Sequence, residues 1–125
     1  MSIPVLKQGD VLIASIQAAP ADRDLAKLED DLADRVGRYR ARGVILDVTS
    51  LDVLDSFATR TIRGIAQTTR LRGARTVIVG IQPDVAFAMV ELGLSLSGIE
   101  TALDLEEGIE VLRDSSATSG GGYDG

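Results

Sequence analysis

Apolar positions change their spacing along this chain, and each change marks an element. In IPVLKQGDVLIASIQ, residues 3–17, two short apolar segments flank Gln8-Gly9-Asp10. A Gly-Asp turn between such segments predicts a β-hairpin. AAPADRD breaks that pattern. From Asp22 onward, Leu25, Leu28, Leu32, Val36 and Tyr39 follow at steps of three or four, the stripe of an amphipathic helix. Arg35, Arg38, Arg40 and Arg42 load its carboxyl end with positive charge, which suits the helix dipole, and Gly43 is the expected stop.

VILDV, Val44 to Val48, is a short β-branched run bounded by turn residues, as in a strand buried on both faces. TSLDVLDS follows as a loop. Ser56 to Leu71 reads as a helix with Ala58, Ile62, Ile65 and Ala66 inward, Arg60, Arg63, Arg70 and Arg72 outward, and Gly73 at its end. TVIVGI, Thr76 to Ile81, is a second buried strand. QPDVAFAMVELG is a helix opened by Pro83 and closed by Gly93. TALD is a short edge strand. Asp104, with Glu107 three residues on, resembles a capping box for a last helix through Arg113. DSSATSGGGYDG, residues 114–125, reads as a disordered Gly/Ser-rich tail after a single domain over residues 1–113. Helices alternating with strands after a hairpin predict an α/β fold with parallel crossovers.

Composition narrows the chemistry. Apolar residues are 45% of 125, enough for a real core, while aromatics are 3% and Trp is absent, a poor supply for stacking on nucleic-acid bases. The net charge of −6 repels phosphate backbones and anionic lipid, so neither nucleic acid nor a membrane surface is an expected partner. Without His or Cys there is no Ser-His-Asp triad, no thiol nucleophile, no disulfide and no His or Cys to bind zinc. No signal pattern opens the chain and no apolar run approaches the roughly 20 residues of a membrane span, so the expectation is a cytoplasmic protein.

The stretch most open to chemistry is LDVLDSFATR, residues 51–60. Ser56 stands after a buried strand and at a helix start, so it either caps the helix or presents its hydroxyl at the sheet edge where α/β folds engage ligands and partners. A phosphate there would meet backbone N–H groups and the charge of Arg60, against repulsion from Asp55. Phe57 is either an exposed anchor for a partner or part of the core. Asp47, Asp52 and Asp55 are too irregularly spaced to argue for magnesium and read as a solvated acidic rim. VGIQPDVA, residues 79–86, repeats the strand-loop-helix pattern, with Gly80 at a tight exit, and is expected beside Ser56. There is no Gly-rich phosphate loop after a strand.

VILDVTSLDVLDSFATR, followed by GARTVIVGIQPDVAFAMVELGLSLSGIETALDLEEGIEVL, resembles a STAS domain. Within that family it is similar to the RsbS type, the serine-bearing antagonist of the bacterial stressosome, from about Ile3 to Leu112. The resemblance implies a single STAS domain of α/β class, with a mixed central β-sheet and four helices packed mainly on one side. It implies a non-enzymatic scaffold whose phosphoacceptor is Ser56. Asp52, Asp55, Phe57, Thr59, Arg60, Gln82 and Pro83 form the expected partner surface. Implied partners are RsbR-type paralogues in a large self-associating complex, an RsbT-type serine/threonine kinase and an RsbX-type phosphatase. ATP and magnesium would belong to the kinase, so the chain itself needs no cofactor and no metal. Two alternatives stay open: a direct anti-sigma-factor antagonist switched at the same serine, and a STAS module that binds a small ligand or nucleotide.

Overall fold

Gly9 and Asp10 form the two-residue turn that the alternation around them requires. The computed structural model, which describes residues 2–94 and 98–121 (the last eight by backbone course alone), pairs β1 (Val5–Gln8) with β2 (Val11–Ser15) antiparallel, Gln8 opposite Val11. Gly9 has φ +61°, a left-handed conformation that costs a residue without Cβ nothing. The chain continues through α1 (Asp22–Tyr39), β3 (Gly43–Asp47), α2 (Ser56–Leu71), β4 (Arg75–Val79), α3 (Pro83–Glu91), β5 (Glu100–Ala102) and α4 (Leu105–Gly121).

The strands form one five-stranded sheet in the order β1-β2-β3-β4-β5, and every pairing after the first is parallel. Ser15 pairs with Asp47, Asp47 with Val79 and Val79 with Ala102, so the parallel strands end level at one edge. Alternate residues supply two cores. Leu12, Ala14, Val44, Leu46 and Ile78 pack with the apolar faces of α1, α2 and α3. Val11, Ile13, Ile45, Val77 and Val79 pack on the opposite face against Leu105, Ile109 and Leu112 of α4. Helices therefore lie mainly on one side, as the resemblance implies, and α4 is the exception that closes the other. Both faces of β3 and β4 need cover, which is why those strands are continuous apolar runs. Among the described residues, no helix is long and apolar enough to cross a membrane.

Several boundaries differ from the sequence pattern. α1 stops at Arg40, which takes the left-handed conformation at φ 51°, rather than at Gly43. Gly43 opens β3 instead, because a Cβ there would stand 2.5 Å from a Leu112 methyl carbon. Tyr39 leaves the buried stripe; Lys7 Nζ lies 5.5 Å from its ring centroid. β4 ends at Val79, since Gly80 turns to φ +76° and donates its N–H to the Leu103 carbonyl at 3.1 Å. At α4 Asp104 caps the first turn, accepting from Glu107 N at 2.9 Å, while Glu107 accepts from Leu103 N, one residue before the cap, at 2.5 Å. This helix runs past Arg113 to Gly121, no proline intervening to stop it, and residues 122–125 of the expected tail lie outside the described residues. The short edge strand β5 is held by Arg75, whose guanidinium forks onto Glu100, with Nε–Oε2 at 2.8 Å.

Between α1 and α2, the Glu29 carboxylate occupies the space that Gly64 leaves by having no side chain. Burial pushes its carboxyl above the ordinary value, and the charge of Asp30 adds to the effect. The folded state thus disfavours the ionised form, a cost present in full above the folded pKa and relieved as pH falls through it. Glu29→Gln is expected to raise the melting temperature at pH 7 by about 1–2 °C, solvent screening keeping the gain small. The gain should shrink steadily towards pH 4. Calorimetry at a series of pH values checks this, and a variant less stable at pH 7 would contradict it.

Candidate functional site

The site begins where β3 ends. Asp47 turns its carboxylate back on its own loop, accepting from Thr49 N at 3.0 Å and Thr49 Oγ1 at 2.6 Å. Leu51 and Leu54 then point into the core, three residues apart, and Val53 between them is forced outward, 69% exposed. Asp52 beside it is also exposed.

Asp55, not Ser56, caps α2. Its backbone is extended and its carboxylate accepts from Ala58 N at 2.8 Å. Its carbonyl accepts from both Thr59 N at 3.0 Å and Thr59 Oγ1 at 2.8 Å. Capping by the aspartate leaves the next hydroxyl free: Ser56 is the first helical residue, exposed, and its side chain hydrogen-bonds to no protein group among the described residues.

Each remaining residue of the expected partner surface has a definite place. Phe57 is half-buried against the main core, and the Arg60 guanidinium lies 5.8 Å from its ring centroid. Both readings of Phe57 thus hold in part. Arg60 is exposed. Thr59 does not belong to the surface: it is 3% exposed, its hydroxyl bound to the carbonyl one turn back. It shares the inward stripe of Ile62 and Ala66, and that hydrogen bond lets a hydroxyl be buried there. Gln82 reaches across to the neighbouring loop, donating from Nε2 to the Thr49 carbonyl at 2.7 Å. Pro83 is exposed at the first position of α3.

The loop after β4 therefore lies against the loop that leads to Ser56. Their contact is close enough that a Cβ on Gly80 would strike Thr49 Oγ1. On the other side, the β2–α1 connection forms a notch of about 240 Å3 with Asp52, Val53, Asp55 and Ala58. The three aspartates do not converge on a metal position, and among the described residues no cluster of three Asp or Glu side chains has that geometry. Among the exposed apolar features that escaped the sequence reading are Val53 and the outer face of α3 with Phe87 and Val90. The signal for the second was present, since apolar residues at 85, 87, 89 and 90 cannot all face one side of a helix.

This arrangement can be set beside known proteins. The family model for the STAS domain matches residues 3–108. The chain belongs to the STAS domain family. RsbT co-antagonist protein RsbRA of Bacillus subtilis is 31% identical over 110 residues, covering 86% of this chain and 39% of that protein. RsbT co-antagonist protein RsbRD of the same organism is 30% identical over 66 residues, 53% of this chain and 24% of that one. The chain thus spans well under half the length of either co-antagonist. A serine-to-glutamate variant of RsbS from Moorella thermoacetica superposes with a TM-score of 0.83 at 30% identity, covering 92% of this chain and 97% of that one. A chain from a structure titled the molecular architecture of the stressosome gives a TM-score of 0.75 at 30% identity, over 90% and 98%. Within its family, this is a STAS protein of the RsbS type.

The division between Asp55 and Ser56 is testable by stability. Asp55→Ala should lower stability by about 1 kcal/mol, the usual cost of a lost N-cap. Ser56→Ala should stay within about 0.5 kcal/mol of the parent, as for surface changes away from caps. Urea denaturation of both variants checks this; the reverse order of losses would return the cap to Ser56.

Proposed function

We propose that this chain is a non-catalytic scaffold of stress signalling that holds a serine/threonine kinase on the face around Ser56 and releases it when Ser56 is phosphorylated. The observation that carries the proposal is the exposed, unengaged Ser56 hydroxyl, fixed in position by a cap and a core contact on either side of it. Its support from relatives is their description as RsbT co-antagonists, as RsbS and as stressosome. The partners on this reading are RsbR-type STAS proteins in a large cytoplasmic assembly, an RsbT-type kinase, and an RsbX-type phosphatase that restores the hydroxyl.

The kinase brings ATP and magnesium. The Ser56 oxygen forms a bond to the γ-phosphorus as the bridge to ADP breaks, and the hydroxyl proton passes to a base on the kinase. This chain has no histidine to take it, and the Asp55 carboxylate is engaged at Ala58 N. The product carries about −1.5 to −2 charge at neutral pH, next to Asp55 and near the exposed Asp52. A docked partner matched to a neutral hydroxyl then faces like charge and a desolvation cost, typically about 2–5 kcal/mol at an interface core.

Ser56→Ala is expected to bind the kinase as the parent does and to resist modification. Ser56→Asp is expected to bind at least about 30-fold more weakly, the lower end of that range. Titration calorimetry with the kinase measures both, and equal affinities would sink the mechanism. Incubation with kinase and ATP should place the phosphate on Ser56; a phosphate on Thr49 or Ser50 instead would move the site. Mixing with an RsbR-type protein should give a particle of very high mass. A dimer that pairs only with an anti-sigma kinase would replace the scaffold by the direct antagonist.

A further inference from the structure

Resting on phosphorylation at Ser56, we propose that Arg60 is the counter-ion of the phosphate and that it leaves the Phe57 ring to reach it. One modification then changes the surface twice, adding a dianion and removing a cation from an apolar ring.

Positions 56 and 60 are four apart on α2, so their side chains lie one turn apart on the same helix face. The exposed Arg60 guanidinium rests over the Phe57 ring at 5.8 Å from its centroid, and among the described residues it makes no ion pair and no hydrogen bond. Several other arginines are committed elsewhere. Arg35, Arg42 and Arg75 are paired with carboxylates, at 3.0 Å, 2.7 Å and through the fork on Glu100. Arg63, further along α2, donates to the Leu92 carbonyl at 3.3 Å, and Arg70 to the Gly98 carbonyl at 3.3 Å. An exposed cation over a ring is weakly held, whereas a guanidinium and a phosphate form charge-assisted, two-pronged hydrogen bonds. The contest therefore goes to the phosphate.

The surroundings favour the exchange. Asp55 keeps its carboxylate on Ala58 N and adds its negative charge beside the phosphate, increasing the pull on a nearby cation. Asp52 is exposed in the same loop. The control cation is Arg23, in the first turn of α1 and two residues before Leu25, which lines the notch together with Asp55. Arg60 has the shorter connection, one helical turn along a rigid element. Phe57 is anchored in the core by one side, so departure of the guanidinium bares its outer side without moving the ring. A bound kinase that had met a cation over a ring beside a neutral hydroxyl would meet a bare ring beside a phosphate whose charge Arg60 only partly balances. Release then draws on lost complementarity as well as on like charge.

The test needs no kinase, so its failure and a failure of kinase capture are separate results. The full chain is prepared with phosphoserine incorporated at position 56 during translation. Phosphorus NMR then follows the second ionisation of the phosphate, ordinarily near about 6. It should lie lower with Arg60 present than in Arg60→Gln, by roughly half a unit, because a nearby cation favours the dianion. Arg60→Lys should fall between the two. In the unmodified chain, the Arg60 side-chain protons should carry a ring-current shift that Phe57→Leu abolishes, and phosphorylation should abolish it as well. Equal ionisation with and without Arg60 would overturn the proposal. So would a ring-current shift that survives phosphorylation, or a dependence on Arg23→Gln in place of Arg60→Gln.

Discussion

Because β2, β3, β4 and β5 are parallel and adjacent in chain order, every connection between them runs in the same direction across the sheet. Crossovers of this kind are right-handed, so α1, α2 and α3 are obliged to share one face. The main core shows them there, packed on Leu12, Val44, Leu46 and Ile78. The opposite face would be left open, and α4, which follows the last strand and returns to no further one, covers it. The same rule collects the loops that follow the strands at the level edge marked by Ser15, Asp47, Val79 and Ala102. The neighbourhood of Ser56 is thus assembled by topology before any of its side chains is chosen.

Within that neighbourhood, consecutive residues divide the work. Asp55 satisfies an amide of the first helical turn, Ser56 turns its side chain to solvent, and Phe57 grips the core. Successive helical residues rotate by about 100°, so an inward Phe57 and Ala58 leave an outward direction for Ser56. The hydroxyl is placed accurately without contributing a hydrogen bond of its own. Gln82 and Gly80 hold the adjoining loop against the same corner from the other side.

Much of this was legible along the chain. The strands β3 and β4 announced themselves as apolar runs, and α2 has the ends its pattern assigned, because periodicity and local capping chemistry both act over a few residues. What was not legible depends on distant contacts. Gly43 looked like a helix stop, and only the Leu112 methyl group explains it. Thr59 was expected on the partner surface, although its spacing to Ile62 and Ala66 put it on the buried stripe. No local pattern says which face a terminal helix will cover. At the site, spacing alone left Ser56 poised between cap and presented hydroxyl, and the resemblance to STAS domains gave it a chemistry. The assignment of the cap to Asp55 came only with coordinates.

The two borders of the sheet are short: β1 has four residues and β5 three, the latter fastened by the Arg75–Glu100 fork. An uncovered border with a long row of free amides recruits further strands, and the hazard grows with crowding. Borders this brief, one of them fastened by an ion pair, leave few free amides on which a further strand could be laid.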